Sequence, residues 1–195
     1  MKTIVVSGIP GTGKTTLSKN LAQKLNFLYF DVNKLISKHK LSEGYDKKRK
    51  TKIVDVSKVN KALIQEITLI KKSINETHEN LWFSGHQKRK AFFSENNKRK
   101  LKKTIKGIII DSHLSHYLPK KYVDLCIVTK CDIKELNKRL KRKKFHKDKI
   151  RENLQAEIFD ICYNGALERK HKIIVIDTTK GFNINNIIRK LSLKR

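Results

Sequence analysis

Nine residues near the start of the chain, GIPGTGKTT from Gly8 to Thr16, follow a strand-like run, KTIVVS from Lys2 to Ser7. They satisfy the pattern Gly8-x4-Gly13-Lys14-Thr15, which between a strand and a helix reads as a phosphate-binding loop. Glycines let backbone N–H groups curl around phosphate oxygens, and the positive end of the following helix adds to the attraction. In such a loop Lys14 bridges the β- and γ-phosphates of ATP, and the Thr15 hydroxyl ligates Mg²⁺. The plainer reading is a glycine turn that only joins strand to helix, but it leaves the Lys14-Thr15 pair without a use.

A phosphate-bound Mg²⁺ calls for a second acid. Asp111 ends an apolar run, GIII, and opens the stretch DSHLSH from Asp111 to His116. The carboxyl end of a buried parallel strand is where ligand crevices form, so Asp111 is the candidate magnesium-shell acid, with a strand-end cap as the alternative. His113, two residues on, can orient a water or a phosphate oxygen; an isolated histidine can equally serve the loop backbone, and His116 is read that way. Phosphoryl transfer depends on cations converging on the moving group. Arg139, Arg142 and Lys143 stand at a helix end beside the basic stretch KKFHK, Lys143 to Lys147.

The elements that must position these groups alternate along the chain. Strands are expected at Lys2–Ser7, Phe27–Phe30, Gly107–Ile110, Val123–Val128 and Lys172–Ile176. Helices are expected at Thr15–Leu25, after Asp31 through Leu35 and Ile36, along the stripe Val59, Leu63, Ile67 and Ile70, at Asp132–Leu140, at Lys147–Leu167 and at Asn183–Leu193. Asp31 is a candidate helix cap, and Leu41–Lys52 reads as a loop. Alternating strands and helices predict an α/β fold with a five-stranded parallel sheet and helices on both faces.

Composition narrows the setting. A chain of 195 residues with 38% hydrophobic content is expected to form one domain with a real core. No signal peptide is read at Lys2 onward, and no apolar run approaches the roughly 20 residues of a membrane span. The three cysteines, Cys126, Cys131 and Cys162, have neither zinc-like nor redox-like spacing; a reduced, cytoplasmic location fits. Lys and Arg number 46 against 18 Asp and Glu, a net charge of +28. Such a field draws polyanions, although a lysine-rich proteome gives the same composition. The excess is uneven, and in Gln87–Lys106 KRK, Phe92-Phe93 and KRKLKK follow one another. Lysines with interleaved phenylalanines suit RNA; a solvated excursion or a protein-partner surface are the other readings.

In order along the chain stand GIPGTGKTT, DVNKL (Asp31–Leu35), EGYD (Glu43–Asp46), DSHLSHYLP (Asp111–Pro119) and ENLQAEIFD (Glu152–Asp160). With these motifs the sequence resembles the adenylate kinase isoenzyme six family of archaea and eukaryotes, also called the coilin-interacting nuclear ATPase family. The resemblance spans most of the chain apart from roughly Asn75 to Lys106. It implies a P-loop nucleoside-monophosphate-kinase fold with a monophosphate-binding arm over residues 31–54, a lid over 142–152 and a basic insertion over 75–106. It implies that Gly11, Gly13, Lys14, Thr15 and Thr16 bind ATP phosphates, that Asp111 and His113 form the active-site pair, and that Asp31 and Asp55 belong to the monophosphate arm. Lys180, in TTKG, matches a loop near the adenine, with a plain solvent lysine as the alternative. The family's lid arginine falls on Lys143, one residue after Arg142. Either Arg142 takes that role through a shifted register or the lid contact is weaker, because lysine lacks arginine's planar fork. The usual next glycine is Lys144, and Asp55-Val56-Ser57-Lys58 is less acidic than the family's run.

The activity implied is transfer of the ATP γ-phosphoryl group to AMP with Mg²⁺, with slow ATP hydrolysis alongside. The resemblance also implies a role in late maturation of the small ribosomal subunit, through a platform ribosomal protein of the S-eleven family and, by way of the basic insertion, precursor rRNA. The alternative is an assembly ATPase whose kinase activity is incidental. A kinase for another small acceptor leaves the Asp111-x-His113 pair and the arm motif unexplained.

Overall fold

The computed structural model describes residues 1–47, 51–75 and 105–193. The first strand, β1 (Lys2–Ser7), leads through the glycine loop into α1 (Lys14–Leu25), then β2 (Leu28–Asp31) and α2 (Val32–Lys38). A hairpin of β3 (Ser42–Asp46) and β4 (Thr51–Val54) precedes the long α3 (Val56–Asn75). The second half runs β5 (Gly107–Asp111), two short 3₁₀ turns, β6 (Leu125–Lys130), α4 (Ile133–Arg142), α5 (Lys147–Ile158), α6 (Ile161–Glu168), β7 (Ile173–Asp177) and α7 (Ile184–Leu193).

The sheet has five strands in the order β2-β5-β1-β6-β7, and every pairing is parallel. Parallel strands buried on both faces read as continuous apolar runs, and β5 is buried throughout. Successive side chains go to opposite faces. Val5, Ile108, Ile110, Cys126 and Val128 join the core formed with α2 to α6. Ile4, Val6, Ile109, Leu125 and Ile127 join the core formed with α1 and α7. The five expected strands and the two-faced helical cover are therefore observed.

Two expectations are corrected. Leu41–Lys52 is not a plain loop: β3 and β4 pair antiparallel, with Ser42 opposite Val54 and Asp46 opposite Thr51. Both strands lack buried residues, so no apolar alternation marks them, and Tyr45 and Ile53 are exposed. Lys147–Leu167 is not one helix. It breaks between Ile158 and Ile161, where Asp160 takes a left-handed conformation at φ 54°. That break is held from outside: Lys130 pairs with Asp160, and the Cys131 N–H donates to the buried Glu157 carboxylate at 2.9 Å. The basic segment Gln87–Lys106 lies outside the described residues except for Ile105 and Lys106. Among the described residues no helix is long and apolar enough to cross a membrane.

Candidate active site

The glycine loop leaves β1 with three positive φ angles, at Gly8, Gly11 and Gly13. The constraint is steric as well as torsional. A Cβ on Gly8 would sit 2.3 Å from Thr129 Oγ1, and one on Gly11 would sit 2.9 Å from Leu136 Cδ1. A set of threonines pins the loop to the sheet. Thr12 Oγ1 donates to Ile9 O at 2.8 Å and pairs with Thr129 Oγ1 at 2.7 Å, while Thr178 Oγ1 donates to Thr12 O at 2.8 Å. The loop is thus tied to the ends of β6 and β7 before any ligand arrives.

At the start of α1, Gly13 offers no side-chain cap and no acid stands in the first turn. The positive end of the helix and its first N–H groups are therefore left to a phosphate. Thr15 and Thr16 are exposed at this end. Lys14 Nζ lies over the loop, donating to Ile9 O at 3.3 Å. Burial pulls its pKa below the usual lysine value, and the charge of Asp111 opposes that shift. These features fit a bound nucleoside triphosphate.

Asp111 is buried at the end of β5, opposite Val6 of β1 and Asp31 of β2. One of its oxygens, Oδ2, accepts from Tyr29 Oη at 3.0 Å. Burial first, then the charge of and hydrogen bond to Asp111, raise the Tyr29 pKa. The Asp111 oxygen not bonded to Tyr29 is the kind of ligand that a hard cation takes beside phosphate and water. No cluster of three or more His, Cys, Asp or Glu exists among the described residues, and that mode of binding needs none.

His113 is exposed at the crevice mouth. Surrounding protein and then the charges of Lys14 and Lys149 lower its pKa to about 4, so it is neutral at pH 7 and can accept a hydrogen bond. His116 is buried, as expected of a structural residue. Its Nδ1 lies 2.8 Å from Ser7 Oγ, and Ser7 Oγ donates to His113 O at 3.4 Å. Nε2 has no partner. A neutral ring with Nδ1–H toward Ser7 leaves only a lone pair unsatisfied, the cheaper arrangement. His116 thus holds the turn after Asp111 against the root of the glycine loop.

The cations at the corner between α4 and α5 separate into different roles. Arg139 is held by the turn after β7 and by Glu135. Its guanidinium donates to the carbonyls of Thr178 and Thr179 at 2.9 and 2.8 Å and to Glu135 Oε1 at 2.8 Å. It fixes the turn that carries Lys180, which is exposed. Arg142 is 75% exposed and lies 3.9 Å from Glu135. Lys143, the residue that follows α4, is the corner cation whose charge lowers the Lys14 pKa. Lys144 takes the left-handed φ of 56°, so the position the resemblance assigns to glycine keeps that backbone shape.

Asp31 and Asp55 both cap helices. Asp31 Oδ1 accepts from Asn33 N at 2.9 Å, and Asp55 Oδ1 accepts from Ser57 N at 2.7 Å. Reading the sequence alone misses Tyr29, Thr178, Glu157 and the clamp made by Arg139. The first hides in the apolar run FLYF, and the others become site residues only when distant segments meet.

Residues 4–160 match the family model described as an AAA domain. A protein of Methanocaldococcus jannaschii named "Putative adenylate kinase" is 30% identical over 188 residues, 96% of this chain and 82% of that protein. The adenylate kinase isoenzyme 6 homolog FAP7 of Saccharomyces cerevisiae is 28% identical over 190 residues, 95% of this chain and 78% of that protein. In fold, the chain is similar to a sugar kinase from a Janibacter species, at a TM-score of 0.55 and 15% identity over 98% of this chain and 92% of that one. With its glycine loop uncapped toward a buried strand-end acid, and with these relatives along nearly its whole length, the chain belongs to the adenylate kinase isoenzyme 6 family.

Proposed function

We propose that the protein is a nucleoside monophosphate kinase that transfers the γ-phosphoryl group of ATP to AMP, forming two ADP, and hydrolyses ATP slowly. The observation that carries this reading is the convergence of Lys14, Asp111 and the uncapped end of α1 on one crevice. Both named relatives are called adenylate kinases. The N–H groups of Gly11 to Thr16 bind the ATP phosphates, and Lys14 neutralises charge on the β- and γ-phosphates. Thr15 and Asp111 hold Mg²⁺, which when bound screens the negative charge that builds on the transferred group. Lys143 brings a second cation from the corner between α4 and α5, with Arg142 beside it. Lys180 lies in the turn offered to the adenine.

The acceptor needs no general base, since the phosphate of AMP is already ionised. The α2 segment and the β3–β4 hairpin, residues 31–54, form the arm that holds it, with Asp31 and Asp55 shaping that arm as helix caps. A water acceptor, by contrast, must be oriented. His113, neutral at pH 7, accepts its hydrogen bond. The test is paired: His113→Ala lowers hydrolysis more than transfer to AMP, and Asp111→Asn lowers both. Equal loss of both reactions in His113→Ala removes that role.

A second reading is favoured by the net charge of +28. A free metabolic kinase gains nothing from such a field, whereas a cytoplasmic factor in small-subunit maturation does. There the nucleotide cycle switches contact with the S-eleven family platform protein, and the basic insertion meets precursor rRNA. Adding that platform protein then raises ATP turnover, and AMP does not.

A further inference from the structure

Helix α5 carries two parallel stripes. Ile150, Leu154 and Ile158 recur every four residues, and Lys147 and Arg151 recur beside them. With Lys141 of α4 they line a shallow groove of about 330 Å³. Ile150 is buried at one end of the apolar stripe, Leu154 is half-buried, and Ile158 is 59% exposed. Past the helix end the apolar surface continues in Phe159 and Ile161, 66% and 46% exposed. Three cations stand among the lining residues, and no carboxylate does. The acids of α5 are not among the lining residues, and Glu157 is turned inward to Cys131.

We propose that this groove is the docking site of a partner protein, which presents an amphipathic helix with aliphatic side chains on one face and acidic side chains flanking it. The apolar stripe has the spacing that meets a helix laid along a groove. The rim selects the sign of the partner, because cations around an apolar floor are complementary to acids around an apolar ridge. A second copy of this chain would bring the same cations against themselves. RNA would match the cations but not the floor, which is aliphatic, with Phe159 as its one ring, at the end. The occupant touches both α4 and α5. It does not depend on the phosphoryl chemistry, so it stands or falls separately from the kinase reading.

The probe is a fluorescein-labelled synthetic helix with leucines along one face and glutamates elsewhere, followed by anisotropy with the full chain. Three companions set the specificity: the same helix with lysines for glutamates, a scrambled glutamate peptide without an apolar face, and phosphatidylserine vesicles. The acidic helix is expected to bind saturably, and both other peptides at least about tenfold more weakly. Ile158→Glu and the pair Lys147→Glu, Arg151→Glu each weaken it by on the order of tenfold. Val175→Glu, which alters an exposed apolar residue on β7, leaves it unchanged. These positions are exposed or at the rim, and unchanged thermal melting and far-ultraviolet circular dichroism show that the variants are folded. The proposal is overturned if the scrambled peptide binds as tightly, if the groove variants bind like the parent, or if only the vesicles bind.

Discussion

Tyr29 Oη donates to Asp111 Oδ2 at 3.0 Å, and this bond joins the edge strand β2 to the acid at the end of β5. The phenol has a raised pKa, so it remains a donor throughout the physiological range. One lone pair of Asp111 is thereby occupied and its carboxylate oriented, which leaves the other oxygen for the crevice.

Removing that donor should matter more for turnover than for folding. Tyr29→Phe keeps the ring in its place against the α1 face and deletes only the hydroxyl. Loss of one hydrogen bond to a charged group corresponds to about 1.5–3 kcal/mol. Steady-state ADP formation should fall by roughly tenfold or more, with a small change in Tm. An unchanged rate would show that Asp111 needs no second strand to hold it.

The glycine loop should tolerate no side chain at its root. Gly8→Ala places a methyl 2.3 Å from Thr129 Oγ1 at a φ of +142°, and the collision involves backbone of β6 as well. A destabilisation above about 2 kcal/mol is expected, measurable by denaturant titration. Thr12→Val leaves the backbone free but cuts the bonds to Ile9 and Thr129; it should weaken nucleotide binding with a smaller loss of stability.

Arg139 predicts a split between binding and chemistry. Its Nη2 donates to the carbonyls of both Thr178 and Thr179 while Nε holds Glu135, so Arg139→Ala should loosen the turn under the proposed adenine position. KM for ATP should rise about tenfold while kcat changes little. Arg139→Lys should rescue poorly, because a single ammonium nitrogen cannot hold the two carbonyls and Glu135 together as Nη2 and Nε do. A fall in kcat at constant KM would instead place Arg139 among the phosphate-facing cations.

Acid should destabilise the fold in part through the buried His116. Burial first, and then the neighbouring His113 and His171, lower the His116 pKa from 6.5 to about 4. The folded state therefore binds fewer protons than the unfolded chain between those values. Its contribution is fully present above about pH 6.5 and is lost as pH falls through about 4. For a group this buried the effect is on the order of 3 kcal/mol. Urea titrations across that window should show the decline, and His116→Asn should make it shallower, leaving the part that comes from His113 and His171, whose pKa values are also lowered. An identical slope in the variant would assign the acid sensitivity to other groups.

The legible part of this chain is the part with local punctuation. The apolar run before Gly8, the Lys14-Thr15 pair and the stripe of α1 are each short-range signals, and together they mark the glycine loop and the proposed phosphate site. Asp111 is legible because a fully apolar strand ends on it. The hairpin is not, since β3 and β4 bury nothing and depend on pairing with each other. Nor is the break at Asp160 legible. No proline stands there, and the kink is imposed by Lys130 and by the backbone of Cys131, some 30 residues earlier in the chain. The same distance effect hides the division among the corner cations. Arg139, Arg142 and Lys143 look alike in sequence, and only the position of the 178–179 carbonyls and of Glu135 tells them apart.

The central claim is tested most directly by following ADP formation from ATP and Mg²⁺ with and without AMP, in the parent chain and in Lys143→Ala and Arg142→Ala. The account predicts fast ADP formation that requires AMP, a loss on the order of tenfold or more in Lys143→Ala, and little change in Arg142→Ala. Slow turnover indifferent to AMP would contradict it and would leave an ATPase on a kinase fold.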